Sequence, residues 1–194
     1  VAHEEEGVAA AARSLAKAPL DWTDPENEPA LRLLCDWLVQ SDQGAKALAR
    51  VDAAVEVHPD VAAFHDIRGR VLVNVGRGNE AVAAFDRAIE LDPNHAPAYE
   101  AKAVLLLMAS QPEPARELLD RATELDPVNA AYPYQAAQVE LAAGRTEQAE
   151  ARLRTALERD PVHAHASNDL AWILAERGED LDLALSLAER AAAA

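Results

Sequence analysis

The stretch Phe85-Asp86-Arg87-Ala88-Ile89-Glu90-Leu91-Asp92-Pro93-Asn94 decides how the rest of the chain is read. It is a short amphipathic run closed by proline. Proline lacks the amide donor and its ring clashes with the turn before it, so a helix cannot run on through it. The stop recurs: Pro59, Pro93, Pro127 and Pro161 follow one another at intervals of 34 residues. His58, Asp92, Asp126 and Asp160 stand directly before them.

The residues between the stops repeat as well. Five before each proline come Ala54, Ala88, Ala122 and Ala156, and twelve before come Ala47, Ala81, Ala115 and Ala149. Eight before, a larger residue stands: Val51, Phe85, Leu119 and Leu153. Steps of three and four place these residues on one helix face. Small edges around a large centre let another helix approach closely. Seventeen before each proline come Asp42, Gly76, Ser110 and Gly144, all turn formers. A second apolar-periodic segment precedes each turn, for example Phe64, Ile67 and Leu72.

Each period therefore reads helix, tight turn, helix, proline stop. A helical hairpin repeated every 34 residues resembles the tetratricopeptide repeat. The best single match, residues 62–95, carries Gly69, Leu72, Gly76, Ala81, Phe85, Ala88 and Pro93 at the family's signature positions. The resemblance implies an all-α fold, a right-handed superhelical solenoid of antiparallel helix hairpins. The expected divisions are a leading helix and connection over 1–27, then repeats over 28–61, 62–95, 96–129, 130–163 and 164–194. Residues 3–18 read as the leading helix, with Val8, Ala12 and Leu15 on one face. In the fifth repeat Ala184 falls one residue late, which predicts an extra residue in the turn after Gly178.

Composition agrees with this. Half of the 194 residues are hydrophobic but only 4% are aromatic, which suits close helix contacts built on alanine. Acids outnumber bases 34 to 18, for a formal net charge of −16. Binding to nucleic acid needs clustered lysine and arginine, and no run of bases is present, so no nucleic-acid partner is expected. The carboxylates are read as a solvated helix exterior. Cys35 is the one cysteine and sits at a small-residue position, equivalent to Gly69, Ala103 and Ala137; it reads as a buried core residue. No apolar run approaches the ~18 residues of a membrane span. No secretory leader is read at the start of the chain; the slight leaning is to the cytoplasm, with the periplasm left open as the alternative.

No catalytic constellation stands out, and no enzyme activity, cofactor or metal is expected. Gly76-Arg77-Gly78 is half a phosphate-loop pattern, but no strand precedes it, so it reads as turn chemistry. His163 and His165 have no third ligand near in sequence. His58 and His95 flank the stops and read as solvent-facing.

What remains is a surface. In the family the first helices line the concave side, and its groove positions carry over residue by residue. The first repeat supplies Arg32 and Asp36, the second Asp66, Arg70, Val73 and Asn74, and the third Glu100, Val104, Leu107 and Met108. The fourth supplies Tyr134, Gln138 and Leu141, and the fifth Asn168 and Trp172. The resemblance implies a peptide-binding groove with an apolar centre at Val104, Leu107, Met108 and Leu141, ringed by hydrogen-bonding side chains. Members that clamp acidic chaperone tails use basic groove residues; Asp36, Asp66 and Glu100 predict that such tails bind poorly here. The leading expectation is a non-catalytic scaffold for a protein or peptide partner. A repeat arm of a larger enzyme or assembly protein, and a module that self-assembles into homo-oligomers through open repeat ends, are the alternatives.

Overall fold

The computed structural model describes residues 20–193 together with positions 10, 11 and 14, and among them ten α-helices and no strand are found. They are α1 (Glu28–Gln40), α2 (Gly44–Val57), α3 (Ala62–Asn74), α4 (Gly78–Leu91), α5 (Ala96–Met108), α6 (Pro112–Leu125), α7 (Ala131–Ala142), α8 (Thr146–Arg159), α9 (Ala164–Arg177) and α10 (Leu181–Ala193). The fold is an all-α helical repeat: odd-numbered helices are the first of each pair, and each even-numbered helix from α2 to α8 ends directly before a proline stop. The chain divides within α5 into two compact units, Val1–Leu105 and Leu106–Ala194. The expected leading helix over residues 3–18 lies outside the described residues apart from positions 10, 11 and 14.

The periodic face is the buried face. Ala47, Val51 and Ala54 in α2 are completely inaccessible, and so are their equivalents Ala81, Phe85 and Ala88, Ala115, Leu119 and Ala122, and Ala149, Leu153 and Ala156. Each second helix thus buries one narrow stripe and leaves the rest to water. First helices are different. α3 buries Phe64, His65, Asp66, Ile67, Gly69, Val71 and Leu72, residues that point all round its axis. It packs against both α2 and α4, and α1 touches it as well. A helix enclosed on several sides has no single apolar stripe.

Contact across the α3–α4 hairpin is matched in volume. Gly69 in α3 lies against Phe85 in α4: a β-carbon there would stand 2.4 Å from the ring. In the C-terminal unit Ala137 and Leu153 share one core cluster, and in the N-terminal unit Cys35 and Val51 share another. Cys35 is fully enclosed, and burial pushes its thiol up to about 12, so it stays protonated and packs as a small apolar group. Trp22 enters the same cluster ahead of α1, with the Arg50 guanidinium 5.8 Å from its ring centroid.

All four expected turn residues adopt the left-handed conformation: Asp42 (φ 57°), Gly76 (76°), Ser110 (59°) and Gly144 (73°). Only glycine takes this conformation without a β-carbon penalty of about 1–2 kcal/mol. Ser110→Gly is therefore expected to stabilise the protein by about 0.5–1 kcal/mol, after allowing for the freer unfolded chain. Asp42→Gly should do less, because aspartate tolerates this region better than serine. Urea titrations of the two variants measure the difference, and a destabilised Ser110→Gly would refute the argument.

In the fifth hairpin two residues, 179 and 180, separate the left-handed Gly178 from α10, where residue 77 alone separates the left-handed Gly76 from α4. α9 has 14 residues where α3 has 13. Gly178 (φ 67°) caps that longer helix in the left-handed conformation.

The proline stops are tied down by side chains. Asp92, Asp126 and Asp160 each accept a hydrogen bond from the amide two residues on, closing the chain into a turn. Two of the proline carbonyls are taken by the next first helix. His65 Nε2 donates to Pro59 O (2.9 Å), and Tyr99, 34 residues later, donates its hydroxyl to Pro93 O (3.1 Å). At the equivalent position of the fifth repeat Ser167 is too short to reach, and Arg190 from α10 donates to Pro161 O instead (2.7 Å).

Candidate interaction groove

The carried-over groove residues of the N-terminal unit come together, but not as free binding groups. Asp66 in α3 is completely buried. Its Oδ2 accepts from Arg32 Nη2 in α1 (2.9 Å), and its Oδ1 from Arg70 Nε one turn on (3.1 Å). His95, expected at the surface, instead turns its Nε2 to within 3.5 Å of Asp66 Oδ2, longer than a close hydrogen bond. Arg70 Nη2 reaches on to Glu100 Oε2 (3.1 Å) and to the Pro97 carbonyl (3.0 Å). Arg32 also pairs with Glu28 (2.9 Å). Arg32, Asp66 and Glu100 occupy one register position in three successive repeats; Arg32 pairs with Asp66 directly, and Arg70 links Asp66 to Glu100, which ties together α1, α3 and the start of α5.

Electrostatics follow from this enclosure. Burial alone would raise the Asp66 carboxyl, but the His95 ring, Arg70 and Arg32 outweigh it and lower it to about 2. Burial opposes the charge of Arg70, yet Asp66 and Glu100 hold it above its ordinary value. Asp36 behaves the other way. Its surroundings disfavour the charged form and raise its carboxyl, although Arg32 and Arg70 pull it back. No hydrogen bond or ion pair among the described residues engages Asp36.

Beside this clamp lies an open cavity of about 250 Å³. Asp36, Asn74 and Glu100 line its polar side together with Arg70. Val73, Val104, Ala101 and the edge of Phe85 form its apolar side. Val104 is exposed there. Six of the carried-over residues therefore meet in one place: Asp36, Arg70, Val73, Asn74, Glu100 and Val104.

In the C-terminal unit the carried-over residues are more dispersed. Met108 is exposed at the end of α5, and Leu107 is half-buried. Tyr134 and Leu141, expected to be free for binding, pack partly against the core of this unit. Tyr134 also sits against the His163 ring (centroids 4.7 Å apart) and near His165 (6.2 Å). His163 caps α9: its Nδ1 accepts from the Ala166 amide (3.1 Å), so the other ring nitrogen carries the proton. Gln138 donates to Asp169 (2.7 Å), and Asn168 to the same carboxylate (3.3 Å). Trp172 is well exposed and lines an apolar hollow with Leu181 and Leu185.

The carboxylates are not confined to helix exteriors. Glu140 in α7 is buried, where Arg145 and Arg152 hold it, with Arg116 3.9 Å away. Glu150, which sequence spacing alone pairs with Arg154 at the surface, is buried as well and binds Arg177 of α9 (2.6 Å). An isolated carboxylate would not be buried at this cost; each is enclosed with guanidinium partners, from its own hairpin for Glu140 and from the following first helix for Glu150. His95 and the buried state of Asp66 are the features that sequence reading missed. The signal was present in the opposite charges 34 residues apart at Arg32 and Asp66. No group of three His, Cys, Asp or Glu among the described residues is placed to hold a metal ion. No helix among them is long and apolar enough to cross a membrane.

A model of the tetratricopeptide repeat matches residues 68–130 and 134–194. A search of the curated proteins found no match. Solved structures of similar fold are many. The chain is similar to PilF of Pseudomonas aeruginosa (TM-score 0.75, 18% identity, 86% of this chain and 76% of that one). It is similar to MamA (TM-score 0.67, 19% identity, 80% and 91%). It is also similar to YrrB, described as a TPR protein with an unusual peptide-binding site (TM-score 0.60, 23% identity, 84% and 83%). At these identities the likeness is one of fold.

Proposed function

We propose the following from the premise that this chain belongs to the tetratricopeptide repeat family: it is a non-catalytic scaffold that takes a protein or extended peptide on the exposed faces of its first helices. The observation that carries this reading is the cavity beside α3 and α5, where residues of three repeats leave an open, mixed apolar and polar hollow. Such a hollow suits side chains of a peptide laid across the first helices. The peptide-binding site ascribed to YrrB, which has the same fold, supports it by analogy of fold. Repeat boundaries at 28, 62, 96, 130 and 164 are part of the same proposal.

The clamp changes which residues should be tested. Arg70 is committed to Asp66, Glu100 and Pro97, so its loss would disturb the fold as well as the surface. Val104, Met108 and Trp172 are exposed and can be changed with little structural effect. A chain carrying Val104→Arg, Met108→Arg and Trp172→Ala should keep its helical circular dichroism and lose at least tenfold of its captured partner in an affinity pull-down. Equal capture by the variant and the wild type would argue against the first-helix face.

A further inference from the structure

We infer that the cavity beside α3 accepts the side chain of a lysine or arginine from the bound peptide, an inference that rests on the scaffold reading above. The guanidinium groups nearest the cavity are already spent. Arg32 is held by Glu28 and Asp66, and Arg70 by Asp66, Glu100 and the Pro97 carbonyl. Of the carboxylates near these two cations, Glu28 and Asp66 are held in the clamp, while Asp36 and Glu100 line the cavity. Asp36 lines the open side with no hydrogen bond or ion pair of its own among the described residues. Asn74 donates its amide nitrogen to the Arg70 carbonyl (2.9 Å), which leaves its side-chain oxygen as an acceptor.

The walls suit the same guest. Val73, Val104 and the Phe85 edge are apolar, and the cavity measures about 250 Å³. That is below the roughly 300–1,000 Å³ of small-molecule sites. It fits one long side chain whose methylene stem lies on the valines while its cationic head meets the acceptors. A glutamate in this place would meet Asp36 and Glu100 with no free cation, so acidic peptides are excluded by the same arrangement.

The test is selection of a randomised nonapeptide display library on the full chain, followed by fluorescence polarisation of the recovered peptides. The expected result is lysine or arginine at one common position, with binding at least tenfold weaker to Asp36→Asn and weaker again in 0.5 M salt at constant helicity. Val104→Trp fills the cavity without changing its charge and should abolish binding of the same peptides. Recovered peptides that lack a basic residue, or basic peptides that bind Asp36→Asn unchanged, overturn the inference; if Val104→Trp still abolishes their binding, the scaffold reading survives. Peptides that bind Val104→Trp as well as wild type, or a selection that enriches nothing, overturn both.

Discussion

Gly69→Ala is expected to destabilise the N-terminal unit by about 2–3 kcal/mol, the scale of an overpacked core. The added methyl would stand 2.4–2.8 Å from three carbons of the Phe85 ring, closer than such atoms can approach. Phe85 has no accessible surface, so its ring can yield only by disturbing the packing around it. Most glycine-to-alanine changes within a helix stabilise it by up to about 1 kcal/mol, so the sign here is set by packing alone. The companion change is informative. Phe85→Leu alone should cost about 1 kcal/mol as a partly collapsed cavity. Combined, Gly69→Ala and Phe85→Leu recreate the alanine–leucine pair of Ala137 and Leu153, and the double variant should return to within about 1 kcal/mol of wild type. Contacting residues are where such non-additivity is found. Urea unfolding followed at 222 nm measures all three chains; additive losses would mean that the glycine is small for some reason other than the ring.

The second large effect belongs to Asp66. Arg70→Met leaves a buried carboxylate with one guanidinium fewer and strips a donor from Glu100 and Pro97, at a cost of about 3 kcal/mol. Replacing both partners, Asp66→Leu with Arg70→Met, removes the buried charge along with its attraction and should recover a good part of that loss. Acid should reveal the same group. The folded carboxyl is lowered to about 2, below the usual carboxylate range, so it binds a proton less readily folded than unfolded. Its contribution, about 2 kcal/mol, is present in full above pH 4 and is lost as pH falls from about 4 to about 2. Stability of the wild type should drop in that window with a slope that Asp66→Asn reduces. An unchanged slope would assign the acid sensitivity to other carboxylates.

The two arguments bear on each other through position in the fold. Gly69 and Arg70 are neighbours in α3, one facing the hairpin partner and the other facing the adjacent first helices. Sequence reading made α3 a helix with groove residues on one side. In the folded chain most of its circumference is occupied, and what is left for a ligand is the margin around Asp36, Asn74 and Val104. The groove positions thus divide between clamp and surface. Only the repeat-to-repeat charge pattern separates them, since Asp66 and Asp36 are the same residue type on equivalent helices. Tyr134 and Leu141 divide in the same way, toward the core.

From the amino-acid order alone come the period, the hairpins, their turns and the buried stripe of every second helix. These are local matters: a proline stop, a left-handed turn residue and a three-four spacing act within one repeat, so they show in one dimension. The fate of the first helices came only with the tertiary structure. Each packs against neighbours contributed by residues about 34 positions away, and its burial depends on their volumes and charges. Whether Asp66 is enclosed or exposed is settled by where Arg32, Arg70 and His95 arrive, because a buried carboxylate is tolerated only where cations and donors surround it.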